Sequence, residues 1–132
     1  MRTDASGRVS ALYRPFHLIG LELNVSILSA ALRGEATGAP TGFRGDVVAT
    51  AKRDLREGEV LDGEGGGCVW GRLLPAERSL AIGGLPIGLA NRVTLTREVP
   101  QGACLTWNDV AIDTTDAAYQ YRRAMERQII LA

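Results

Sequence analysis

The chain has 132 residues, enough for one domain with a modest core. Its 15 basic and 15 acidic residues cancel and aromatics are only 5%, which leaves no electrostatic footprint for nucleic acid or an anionic membrane and no base-stacking surface. A hydrophobic share of 45% with 16 glycines describes a chain that folds and turns often.

Residues 1–16 are polar and irregular. They carry no apolar signal-peptide core, so a cytoplasmic protein is expected. Residues 17–33 read as a helix rich in Leu, Ile and Ala, stopped by Gly34. Leu18, Leu21, Val25, Leu28 and Leu32 form one stripe, and Ile19, Leu23, Ile27, Ala30 and Ala31 cover most of the rest. Such a helix needs burial on most faces. It is short for a bilayer and carries Glu22, Asn24, Ser26 and Ser29, so a membrane span is not expected. The expectation is that this helix is covered by a larger body or by another copy of the chain. Gly38, Pro40, Gly42 and Gly45 then make a linker, closing an N-terminal segment over 1–45.

Residues 46–113 change character. Short aliphatic and β-branched runs (46–51, 59–61, 68–70, 93–96 and 103–106) alternate with Gly and Pro, the pattern of a compact β unit. A helix is expected over 114–132, capped by Thr114 or Thr115 with Asp116 in its first turn. Ala118, Tyr121, Met125 and Ile129 are its expected inner stripe, while Arg122, Arg123, Glu126 and Arg127 read as a solvated face. Cys68 and Cys104 match no metal spacing and read as free thiols.

The middle region repeats itself. Residues 50–61 fall in register on residues 94–105, with Thr50/Thr94, Arg53/Arg97, Gly58/Gly102 and Leu61/Leu105 identical. Each copy reads as a strand, an acid–aliphatic corner (Asp54-Leu55, Glu98-Val99), two polar or proline positions, a Gly and a second strand. Gly58 and Gly102 stand where a tight turn needs positive φ. Two such units related by a pseudo-two-fold make a small self-covering body.

The runs VVATAKRDLREGEVL (Val47–Leu61) and VTLTREVPQGACLTWNDVAI (Val93–Ile112) resemble the SAF domain, a β-clip fold. That domain is shared by sialic acid synthases, type III antifreeze proteins, flagellar P-ring chaperones and altronate dehydratases. YRPFHLIGLE (Tyr13–Glu22) and GRLLPAERSLAIGGLPIGLA (Gly71–Ala90) resemble the C-terminal region of homoserine-dehydrogenase-like NAD(P)-dependent oxidoreductases that carry an appended SAF domain. The resemblance implies a mostly β, internally duplicated β-clip fold with flanking N- and C-terminal helices. It implies that residues 11–33 end a catalytic body, that 46–113 is the appendage, and that the parent protein uses NAD(P). No G-x-G-x-x-G fingerprint is present and Lys52 is the only lysine, so no catalytic residue and no cofactor is assigned to this chain alone. The implied partners are the catalytic domain and further copies of the chain. The implied role is oligomerisation or shaping of the active site.

The alternative is a binding module for a carboxylate, sugar acid or sugar phosphate, with Arg14, His17, Arg53 and Arg97 as candidate contacts. For His17, the only histidine, the plainer reading is a partly buried residue at a helix start; with no second His, zinc or triad chemistry is unsupported. The Gly63–Gly67 loop could cradle an anion with its amides, or simply turn sharply. Gly83–Ala90 reads equally as a docking loop or as the connection between the two β units. A periplasmic flagellar chaperone is disfavoured by the lack of a signal sequence.

Overall fold

The computed structural model describes residues 2–130. The chain divides into two compact units, Met1–Thr41 and Gly42–Ala132.

The first unit holds a short hairpin, β1 (Arg2–Thr3) and β2 (Ser10–Ala11), and helix α1 (Ile19–Leu28), which continues into a π-helical turn over Ser29–Arg33. Gly34 ends it at φ +66°, with its amide on the Ala30 carbonyl at 3.2 Å. The helix therefore starts two residues later than the composition suggests. No side chain caps its N-terminus; the Leu18 amide instead donates to the Glu22 carboxylate at 3.3 Å. α1 buries none of its residues, and Ile19, Leu21, Val25 and Leu32 (79% exposed) lie open.

In the second unit, β3 (Gly45–Ala51) pairs antiparallel with β5 (Val69–Pro75), from Gly45 opposite Pro75 to Ala51 opposite Val69. β4 (Val60–Asp62), β6 (Asn91–Leu95) and β7 (Val110–Ala111) form a second antiparallel sheet in the order β4-β6-β7. The other edge of β3 is also used. Ala49 donates to the Leu85 carbonyl and Ala51 to the Ala103 carbonyl, at 2.8 and 2.9 Å. Small residues suit a strand hemmed in on both edges: Ala49 and Ala51 are buried with Val48 and Thr50. Leu55, Leu61, Leu85, Leu95 and Leu105 complete the core.

Hydrogen bonds in this unit come in pairs related by the forty-four-residue shift (51 to 95, 58 to 102). Ala51 N donates to Ala103 O, and Leu95 N to Glu59 O. Gly102 N donates to Ala51 O, and Gly58 N to Leu95 O. Leu55 and Val99 exchange both bonds, at 2.9 and 3.0 Å, so the pseudo-two-fold passes between them. Gly58 and Gly102 share φ +80°.

Two helices pack on this β structure. α2 (Ala76–Ile82) follows Pro75, carries Glu77 in its first turn and stops at Gly83, φ +63°. It interrupts a region that reads as β by composition. The Gly83–Ala90 segment is the crossing connection: Leu85 and Ala90 are buried, and Leu85 N donates to Leu105 O at 2.9 Å. α3 (Ala117–Ile130) is capped by Asp116, whose Oδ1 accepts the Ala118 and Tyr119 amides; neither Thr114 nor Thr115 is the cap. Asp113 uses Thr115 in a preceding turn. With three helices beside these small sheets, the described residues form a mixed α and β chain, its β structure concentrated in the second unit. No helix among them is long and apolar enough to cross a membrane.

Candidate functional site

Each of the four basic residues singled out in the sequence stands against a carboxylate. In the first unit Arg14 and His17 converge on Glu22, Arg14 Nη1 at 2.7 Å and His17 Nδ1 at 3.5 Å. The His17 side chain is 80% exposed, not partly buried, and it precedes a helix that buries none of its residues. In the second unit Arg53 reaches Glu59, Nη1 to Oε2 at 3.2 Å. Arg97 pairs through Nε with Asp109, a buried carboxylate that also accepts the Thr106 amide at 2.6 Å and the Thr106 hydroxyl at 2.8 Å. Arg97 thus supplies the countercharge for the cap of a single 3-10 turn, Trp107–Asp109. Although the repeat relates Arg53 to Arg97, their partners differ: Glu59 corresponds to Ala103, which has no carboxylate.

Glu59 is held down to about 2, first by the Arg53 hydrogen bond and then by the Arg56 amide. Cys68 Sγ lies 3.6 Å from Glu59 Oε1 and from Arg53 Nη2. Burial pushes the Cys68 thiol up, which works against thiolate chemistry at neutral pH. Both cysteines are free.

The Gly63–Gly67 loop closes against an exposed carboxylate of the chain itself. The Asp62 carboxylate accepts the Gly67 amide at 2.5 Å and the Cys68 amide at 3.0 Å, and these bonds lower its pKa. A Cβ at Gly66 would fall 2.1 Å from Asp62 Cγ, so the loop closes this tightly only on glycine.

The most buried polar cluster is one the sequence does not announce. Asp46, on β3, receives Arg122 of α3 as a fork: Nη1 to Oδ1 at 3.1 Å and Nη2 to Oδ2 at 2.5 Å. The Ser79 hydroxyl of α2 donates to Oδ2 at 2.6 Å. Arg122 Nε also binds Glu126 Oε1 at 2.7 Å, and Arg123 takes the other Glu126 oxygen. Burial pushes the Asp46 carboxyl up, but Arg122 and Ser79 together outweigh it and hold it below its ordinary value. Arg122 is only 13% exposed and stacks on Phe43 at 4.9 Å; Arg123 stacks on Trp107 at 5.1 Å. Tyr119 meets Trp107 edge to face at 5.5 Å.

α3 therefore turns Arg122, Arg123 and Glu126 inward and leaves Tyr121 80% exposed, against the expected faces, whereas Met125 and Ile129 are half-buried and Arg127 is exposed as expected. A usable signal was present: Tyr119, Arg122, Arg123 and Glu126 recur at the same helical spacing as the apolar set, with Arg122 and Glu126 one turn apart. Among the described residues no group of His, Cys, Asp and Glu is gathered as a metal would require.

No family model and no curated protein matches the chain.

Beside the buried cluster lies a cavity of about 290 Å³, lined by Ser79, Leu80, Gly83, Trp107, Asn108, Arg123, Glu126 and Arg127. Its walls come from α2, the Trp107 turn and α3, so it exists only while α3 is docked.

Proposed function

We propose that the chain is an accessory module of a homoserine-dehydrogenase-like, cytoplasmic NAD(P)-dependent oxidoreductase, serving assembly or active-site shaping and not catalysing by itself. Residues 46–113 are read as a SAF-type, internally duplicated β-clip. Residues 11–33 are read as the part that belongs to the catalytic body.

The observation that carries this reading is α1. Its apolar side chains are exposed on nearly every face, and the hairpin of its own unit covers none of them. A surface of that kind needs a covering body. In the isolated chain the available cover is a second copy, so self-association through α1 is part of the proposal. The β-clip reading draws support from the hydrogen bonds exchanged between Ala51–Gly58 and Leu95–Gly102 and from the paired φ values of Gly58 and Gly102.

The nucleotide site is assigned to the catalytic body, so NADPH titrated into the chain in a calorimeter produces no saturable heat. Saturable binding would overturn the division of labour proposed here.

A further inference from the structure

We infer that the cavity between α2, the Trp107 turn and α3 is a binding site for a small monocarboxylate with an apolar body. The inference is independent of the oxidoreductase reading, because it rests on side chains of the second unit alone.

The charge balance points to an anion. Arg122 and Arg123 are matched by Asp46 and Glu126, and the oxygens of both carboxylates are taken by these arginines and Ser79. Neither carboxylate is free to receive a cationic ligand. Arg127 is left over. It borders the cavity and makes no hydrogen bond or ion pair among the described residues. The exposed Asn108 side chain, on the Trp107 turn, also lines the cavity and is likewise without a bond among the described residues. A guanidinium fork and an amide donor bordering one space suit the two oxygens of a carboxylate.

The surplus is one positive charge, and Glu126 sits in the wall. A monoanion is therefore favoured over a dianion such as a phosphate monoester. Leu80 and the half-buried Trp107 ring supply an apolar side, and Arg123 over Trp107 holds the ring in place. The volume admits one ring or a short chain, at the small end of ligand pockets.

The test is a titration of the full chain followed by the indole N–H signals of its two tryptophans. Trp70→Phe assigns the Trp107 signal. Benzoate is the probe, with benzamide as its neutral counterpart and phenyl phosphate as the dianion. Benzoate is expected to shift the Trp107 signal saturably, with a dissociation constant of about 1 mM or tighter. Benzamide is expected to leave it unmoved. Arg127→Gln removes no internal bond, so it should keep the melting temperature while weakening benzoate about tenfold, the size of one lost charge-assisted hydrogen bond. A Trp107 signal that does not saturate, equal binding of benzamide, or undiminished binding by Arg127→Gln would each overturn the site. Tighter binding of phenyl phosphate would overturn the monocarboxylate assignment.

Discussion

At the scale of single residues, Glu59 and Arg92 carry the clearest consequences. A Glu59 carboxyl at about 2 in the folded chain, against an ordinary 4.5, adds stability that is fully present above pH 4.5 and is lost as pH falls toward 2. Glu59→Gln removes that contribution, so its melting temperature should fall less steeply than wild type across this window. Equal slopes would mean that the Arg53 contact does not hold in solution. Arg92 is the one non-glycine residue described at positive φ, +58°, and it sits where the β4–β6 register shifts between the Asp62–Asn91 and Val60–Thr94 pairs. A side chain in that region costs about 1–2 kcal/mol, partly offset in glycine by chain entropy. Arg92→Gly is therefore expected to raise unfolding stability by up to about 1 kcal/mol, read from urea midpoints. A loss of stability would show that the Arg92 side chain contributes more than its backbone costs.

At the scale of elements, α3 is attached by charge and aromatic contacts where an amphipathic helix would ordinarily use a greasy stripe. Arg122→Met leaves the Asp46 and Glu126 carboxylates buried without their shared cation. Breaking a buried pair from one side costs about 3 kcal/mol or more. Hydrogen exchange should then speed up along α3 well before it does in β3 and β5. Uniform exchange rates and a change under about 1 kcal/mol would contradict this charge-based attachment of α3. The repeat between residues 50–61 and 94–105 was legible in the sequence because turn glycines and short strands are local signals. The face of α3 was not. Ala118, Tyr121, Met125 and Ile129 offered an equally periodic apolar choice, and the partner that decides it, Asp46, lies seventy-six residues away. Hydrophobic patterning ranks a buried arginine last, whereas geometry satisfies it with a forked carboxylate. α2 was hidden for a related reason: its seven residues are bounded by Pro75 and by Gly83 and Gly84, which punctuate the chain as they do between short strands. The basic side chains Arg14, His17, Arg53 and Arg97 were recognisable in the sequence, but the carboxylates they meet, Glu22, Glu59 and Asp109, came into view only with the fold.

At the scale of the whole molecule, the two units differ in how they satisfy their apolar surface. The second buries Leu55, Leu85, Leu95 and Leu105 within itself and closes over them with paired corners. The first leaves Ile19, Leu21, Val25 and Leu32 in the open. That contrast underlies the proposal of an accessory module whose helix belongs in a shared interface. Size-exclusion chromatography with light scattering tests it most directly, on the wild-type chain and on Leu21→Glu/Val25→Glu. The account predicts a wild-type dimer or larger assembly and a monomeric variant that keeps the thermal transition of residues 42–132. A monodisperse wild-type monomer would contradict it.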